Sequence, residues 1–430
     1  MLITFSNNYT VRLIKKNPDR CKDLSEICQK ILNTILYSCI KEFDLDVCDA
    51  FTINVAMKCL RNVPNLTRLK ITLEQDFAPL PLDDKISYLK NLRKLEFPIY
   101  CTNMTLEMLS IYCKGLNFLD IHESDQVDDN CVNSIILLQN LVFLNIQECR
   151  VSDSTYRVIL QKLPRLRNIS WYSEIDDVIK EYSTDYYKRI EIANVRISKP
   201  RILIERLYNL IELDITYYYD SSQSNINLSC LAELEQLKIF RVTALDPVQS
   251  GLNIFLEHSG HKLKIFEMNS ITNVFFSVIL VNCSNLESLY LRFCDIIDEI
   301  VVKREMEPHF LNLEKLQLFF VSYCGKFYSF VYFYRNLKVF QAGFINQIDD
   351  EFVNVTLRYQ GFRNLEEFVV EHGKIKEAVQ ELIYSCPNLK LLGEFGYPDF
   401  PEINLMPIKN IIQRENMALK LLIRGEVWSS

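Results

Sequence analysis

Three groups of residues in this chain have the types and spacing to do chemistry: cysteines, a histidine pair and paired aspartates. The 14 cysteines run from Cys21 to Cys386. Thiolates at C-x-x-C spacing hold zinc or exchange disulfides, but no such pair occurs. Spread through a long chain, they read as reduced small hydrophobes, which fits a cytoplasmic or nuclear setting. His258 and His261 flank Ser259 and Gly260. Two imidazoles three apart could begin a metal site, but no Cys, Asp or Glu follows at a diagnostic interval. A surface turn is the simpler reading, and neither metal nor cofactor is expected. Paired carboxylates can divide acid–base work. Here Asp128-Asp129, Asp349-Asp350, Ser152-Asp153 and Ile297-Asp298 each follow a strand-like run and precede an apolar helical pattern. An aspartate there most simply accepts hydrogen bonds from the free N–H groups of a helix start. No HExxH, Walker A, GxGxxG or GxSxG string is present, and with 10 glycines the chain has no glycine-rich phosphate loop. Nothing points to an enzyme.

The elements that would position these residues come from a repeat. The pattern LxxLxL recurs at Leu66, Leu92, Leu116, Leu141, Leu210, Leu286, Leu313, Leu337 and Leu365. Weaker copies begin at Ile40, Leu166, Tyr187, Leu237, Leu263 and Leu389, which makes about fifteen. The mean step is about 25 residues, within the leucine-rich-repeat range. Side chains alternate along a strand, so positions four and six face the core, and three, five and seven face outward. The reading is an α/β leucine-rich-repeat solenoid, a horseshoe with a parallel sheet on its concave face and helices on its convex face. Residues 1–38 are expected to form an N-terminal helical cap around a Leu24–Tyr37 helix, 39–395 the solenoid, and 396–430 a C-terminal cap with an amphipathic segment at Lys409–Ile423.

Repeat phase also explains the cysteines. Cys48, Cys149 and Cys294 each stand eight residues after the first ladder residue, where such repeats bond the backbone of the turn leaving the strand. Cys113, Cys283 and Cys386 each stand three residues before one, at a site that is apolar in other repeats.

Function then falls to the outward positions. The row at position five includes Lys70, Glu96, Asp120, Asn145, Ser170, Glu191, Asp214, Arg241 and Glu267. Bases at position three, Arg68, Lys94, Arg189 and Lys315, can pair with these acids across strands, leaving a solvated, self-neutralised surface. Two patches stand out from it. One holds Phe118, Asp120, His122, Phe143, Asn145, Gln147 and Tyr172, with two outward phenylalanines on neighbouring strands. The other holds Tyr290, Arg292, Gln317, Phe319 and Val339, with Tyr217–Tyr219 as a nearby aromatic rim. Both read as protein-binding surfaces. A net charge of −7 without a basic run argues against nucleic acid. No secretory leader is expected from MLITFSNNYT, and no run approaches the ~18 apolar residues of a membrane span.

Residues 283–298, CSNLESLYLRFCDIID, resemble the cysteine-containing repeat of F-box/leucine-rich-repeat proteins, and residues 140–153 match its second half. The resemblance covers roughly residues 36–395. It implies a substrate-recognition subunit of an SCF-type cullin ubiquitin ligase, with a protein substrate on the concave face and the cullin-adaptor subunit as a second partner if an F-box exists. Residues 1–35 depart from the family: they contain neither the Leu-Pro with which an F-box begins nor the Trp with which it often ends. The alternative is a free-standing leucine-rich-repeat adaptor or inhibitor scaffold.

Overall fold

A computed structural model describes residues 2–7, 10–15, 40–47, 57–73, 82–180, 186–217, 227–244, 249–298, 312–323, 336–345, 347–371, 375, 377–393, 406–414, 418–423 and 426–428. The chain divides into two compact units, Met1–Arg196 and Ile197–Ser430.

In the first unit, strands β1 (Leu2–Asn7), β2 (Thr10–Lys15), β3 (Glu42–Val47), β4 (Arg68–Leu73), β5 (Lys94–Glu96), β6 (Phe118–Asp120) and β7 (Phe143–Asn145) make one sheet in chain order. β1 and β2 are antiparallel, and every later pairing is parallel. β8 (Asn168–Glu174) pairs in parallel with β9 (Ile192–Arg196) and does not continue the sheet of β7.

The second unit contains β10 (Glu212–Tyr217), β11 (Ile239–Ala244), β12 (Ile265–Asn269), β13 (Ser288–Arg292), β14 (Asp295–Ile296), β15 (Lys315–Phe319), β16 (Ser322–Tyr323), β17 (Val339–Gly343), β18 (Glu367–Glu371), β19 (Leu391–Gly393), β20 (Lys420–Ile423) and β21 (Glu426–Trp428). The short β14 and β16 pair with each other; the rest are neighbours in chain order, parallel until β21 turns back on β20.

Side-chain alternation drives this stacking. Leu69, Leu95, Leu119 and Leu144 lie in register on adjacent strands, and each is 0% exposed. Each buried leucine contributes roughly 1.5–3 kcal/mol. The second unit builds the same row from Leu213, Phe240, Phe266, Leu289, Leu316, Phe340, Phe368 and Leu392, all buried. The solenoid is therefore an α/β leucine-rich-repeat fold, with helices such as Asn103–Tyr112, Asp153–Lys162 and Asp350–Arg358 returning the chain between strands.

The aspartates do cap helices, though not always their own. Asp128 accepts from Asn130 N and Asp349 from Phe352 N at the starts of their own helical segments. Asp129 accepts from Ser152 N and Asp350 from Ala378 N, each one repeat further on. Asp298 reaches back to Phe276 N and Ser277 N, both at 2.7 Å. In the fourth motif Ser152 supplies the cap, accepting from Thr155 N, while Asp153 accepts from Trp171 Nε1. The carboxylates thus tie neighbouring repeats together.

Cys149 and Cys294 sit as expected, donating to Ile121 O at 3.3 Å and Met268 O at 3.5 Å. Cys113, Cys283 and Cys386 are buried. Cys48 lies outside the described residues.

Three expectations change. Residues 2–7 and 10–15 are strands, so the N-terminal edge is a β-hairpin and not helical there. Two β-rich runs around Asn7-Asn8 favour that pairing, which also satisfies exposed edge groups. The Leu24–Tyr37 helix lies outside the described residues. At the other end, Lys409–Ile423 is not one amphipathic segment: a helix, Met406–Arg414, precedes β20, which adds a further rung to the ladder. The register around residue 190 also shifts by three. Ala193 and Val195 are the buried ladder residues of β9, while Tyr187 fills the apolar site three residues before the ladder, with Ile190 N bonded to its carbonyl. Two overlapping apolar triplets fit that stretch, and the one with the small Ala193 is used. Asn194, not Glu191, therefore holds position five.

Candidate functional site

The outward face of the first unit carries the patch built on β6 and β7. Register places Phe118 opposite Phe143 and Asp120 opposite Asn145. The two rings stack with centroids 4.2 Å apart and planes 4° from parallel. Lys94 Nζ lies 3.8 Å from the Phe118 centroid on the strand before, so an ammonium, a ring and a second ring form a column across three strands. Cation–ring attraction is worth about 0.5–1 kcal/mol in such partly exposed places. The same Lys94 reaches Glu96 at 3.2 Å, and Glu96 also meets Arg68 at 3.1 Å and Lys70 at 3.9 Å.

Beside the rings, His122 Nδ1 lies 2.7 Å from Asp120 Oδ1. That hydrogen bond raises the His122 pKa above its ordinary 6.5 against the opposing effect of partial burial, with Glu123 and Glu148 adding to the rise. Asn145 Oδ1 accepts from Gln147 N, and Gln147 Nε2 donates to Asn194 Oδ1 on β9 at 3.3 Å. Tyr172 does not join the phenylalanine pair. Its ring is tilted against Trp171 at 5.6 Å, on β8.

Between β7 and β8 a side chain replaces the backbone ladder. Asn168 Oδ1 accepts from Leu144 N at 2.8 Å, and its Nδ2 donates to Leu144 O at 2.9 Å. Ser170 N donates to the Tyr156 hydroxyl at 3.0 Å, and Tyr156 stacks on Trp171 at 4.1 Å. The alternation of β8 is lost: Asn168, Ile169, Ser170 and Trp171 are all buried. Strand alternation puts position three on the outward face; at β8 it is instead a buried wedge in the sheet.

The second patch lies in the second unit. Tyr290 is in register with Gln317 and then Gln341, and Arg292 with Phe319 and then Gly343. Gln317 Nε2 donates to Gln341 Oε1. Arg292 lies 5.8 Å from the Phe319 centroid, and Lys315 lies 5.1 Å from that of Tyr290. A Cβ on Gly343 would sit 2.6 Å from Phe319 Cδ1, so glycine there gives the ring its place. Val339 is half-buried on β17. Tyr217 ends β10, but its side chain and residues 218 and 219 lie outside what is described.

The expected cross-strand pairing of bases with acids holds for Arg68, whereas Lys94 pairs with Glu96 on its own strand and the other two meet no such acid among the described residues. Arg189 donates to the carbonyls of Tyr186 and Leu160, a consequence of the shifted register. Lys315 has a ring beneath it and, among the described residues, no carboxylate within ion-pair range. Further along the face, Arg241 bridges Glu212 and Glu267. Asp214 lies beside them; burial pushes its carboxyl up to about 6, with Arg241 pulling it down and Glu267 and Glu212 pushing it further up. His258 Nδ1 contacts Ile254 O at 2.8 Å, within the helix that carries it.

Sequence reading missed one feature. Phe293, Phe320 and Phe344 each stand seven residues after a first ladder residue, Leu286, Leu313 and Leu337. They are 50%, 43% and 43% exposed. Their rings stack at 4.7 Å and 4.1 Å. The signal was present as phenylalanine at one repeat phase three times in succession.

Fold and face together define a leucine-rich-repeat solenoid with two aromatic patches on its strand side. No protein-family model and no curated protein matches the chain. Among solved structures it is similar to an internalin from Listeria monocytogenes, at 18% identity over 86% of this chain and 88% of that one, with a TM-score of 0.41. It is also similar to a leucine-rich-repeat protein of Leptospira interrogans, at 14% identity over 87% and 99%, with a TM-score of 0.39. A third is the leucine-rich-repeat ectodomain of a plant membrane receptor kinase from Arabidopsis thaliana, at 14% identity over 89% of this chain and 46% of that one, with a TM-score of 0.37.

Proposed function

We propose that this protein is a non-enzymatic binding scaffold whose strand face takes a partner protein. One observation carries the reading: the column of Lys94, Phe118 and Phe143, half-buried and flanked by His122, Asn145 and Gln147. Stacked aromatics ringed by polar groups are the usual make-up of an energetic centre in an interface. Affinity capture followed by mass spectrometry tests it, comparing the natural chain with a Phe118→Ala, Phe143→Ala variant. The variant should lose a specific partner while keeping its unfolding temperature nearly unchanged. Equal capture, or collapse of the variant's stability, would refute it.

The finer reading is a substrate receptor for a cullin ubiquitin ligase. The match of residues 283–298 to the cysteine-containing repeat of F-box/leucine-rich-repeat proteins supports it. The β-hairpin over residues 2–15 supports the rival, a free-standing adaptor, because an F-box is built of helices. Co-purification of the cullin-adaptor subunit with the full chain decides between them: its capture favours the receptor, its absence the adaptor.

A further inference from the structure

Seven of the turns leaving the strands place one residue in the left-handed region, always at the same repeat phase, and its identity varies. Ile99, Glu123, Glu148 and Ser270 hold that phase with φ of 72°, 58°, 59° and 57°. Phe293, Phe320 and Phe344 hold it with φ of 51°, 52° and 59°. The turn therefore does not require an aromatic residue. A bulky side chain is an unusual occupant of this backbone region, and three such rings in succession are kept partly in solvent.

Two charges on the strands that lead into these turns are equally distinctive. Arg292 and Lys315 each lie near an aromatic ring, and neither has a carboxylate within ion-pair distance among the described residues. In the first unit, by contrast, Arg68, Lys70 and Lys94 all converge on Glu96. Among the described residues the second patch thus offers two cations without a carboxylate: Arg292 directly before Phe293, and Lys315 at the far end of β15, five residues or about 16 Å of strand from Phe320, a span that an extended segment can cross.

We propose that the Phe293–Phe320–Phe344 column, with Arg292 and Lys315, docks an extended acidic segment of a partner protein. Its carboxylates meet the two cations and its apolar side chains lie along the ring edges. This rests on the reading of the chain as a protein-binding scaffold and names the class of partner for its second patch. Single-stranded nucleic acid is a poorer occupant. Bases bind by stacking on free ring faces, and here spacings of 4.7 Å and 4.1 Å leave the rings facing one another. A polyanion also needs many phosphate contacts, on a chain whose net charge is −7.

Phage selection of random peptides on the full chain tests this. The selected pool should be rich in Asp and Glu beside apolar residues. A selected peptide should bind at least about tenfold more weakly to an Arg292→Glu, Lys315→Glu variant. It should lose binding similarly to a Phe293→Asn, Phe320→Asn, Phe344→Asn variant, in which asparagine suits the left-handed backbone and the unfolding temperature should hold. The charge-reversal variant alters exposed or half-exposed side chains, so it remains a test if the asparagine variant fails to fold. The Phe118→Ala, Phe143→Ala variant should bind the selected peptide normally, which separates this inference from the first-patch reading. A basic or charge-neutral pool would overturn the proposal, as would peptides indifferent to both second-patch variants. Binding of an oligouridylate probe that these variants abolish would overturn it in favour of nucleic acid.

Discussion

Replacing Asn168 by alanine should destabilise the first unit by about 2–6 kcal/mol. The residue is 1% exposed, and its amide closes a two-way bridge with the backbone of Leu144, itself 0% exposed. It also donates to Ser170 Oγ at 3.0 Å. Alanine removes these bonds and leaves the Leu144 N–H and C=O without partners. A buried backbone group stranded in this way costs roughly 1–3 kcal/mol, and two are stranded here. Ile169 and Trp171, its neighbours along β8, are buried too, so the stranded groups lie away from the surface. Hydrogen exchange at the Leu144 amide reads the loss locally, which suits a chain of two compact units better than one global transition. A change of about 2 kcal/mol would accelerate exchange there some thirtyfold. Asn168→Asp supplies a control. It keeps the acceptor for Leu144 N but sets a carboxylate against Leu144 O, so it should be no better than alanine at neutral pH and recover partly in acid. β7 also carries Phe143 and Asn145, so partner binding should weaken in parallel. A shift below about 0.5 kcal/mol with unchanged exchange would refute the assignment of Asn168 as the bridge.

Three further outcomes follow from the titrating groups. The His122 ring should titrate above 6.5 by NMR, and Asp120→Asn should lower the midpoint, because the Asp120 hydrogen bond is the largest cause of the shift. A raised histidine pKa contributes stability below the unfolded value and loses it as pH rises through the folded one, so the advantage over His122→Gln should fade as pH rises above 6.5 through the folded midpoint. Asp214→Asn should stabilise the second unit by about 2–3 kcal/mol at pH 8. The carboxyl rises from 3.8 to about 6 in the fold, so ionisation opposes folding increasingly across that window, and the gap in denaturant unfolding should shrink toward acid. Native alkylation mapped by mass spectrometry should spare Cys113, Cys131, Cys149, Cys283 and Cys386, whose thiols burial pushes up to about 12. Labelling of these at the rate of an unfolded control would contradict the burial.

The repeat was legible because one physical requirement recurs at a fixed interval. Leu95, Leu119 and Leu144 must face the same core, and their spacing announces it. The opposed phenylalanines were readable on the same ground, since equal phase in adjacent repeats means adjacent position in space. Reading failed where two solutions satisfy the same pattern. Tyr187 and Ile190 are both apolar and three apart, so the string alone fits either register. It failed again at Asn168, where an amide at an outward position looks like an ordinary solvated residue. Only the bulky Trp171, three residues along the same strand, and Tyr156 in the helix before it hint that this strand is displaced.

The two patches differ in what they leave unsatisfied, and this difference predicts how their binding should respond to salt. On the first, the cations already share Glu96, so a partner gains chiefly by covering the Phe118–Phe143 stack and displacing water from it. On the second, Arg292 and Lys315 have rings but no carboxylate among the described residues, so an acidic partner gains from charge as well as contact. Exposed charge pairing weakens as the screening length falls to about 8 Å at physiological ionic strength and about 3 Å at 1 M. Binding to the second patch should therefore weaken with added salt mainly through slower association, while binding to the first changes little. Equal salt sensitivity at both patches would mean that the distribution of paired and unpaired cations does not govern recognition.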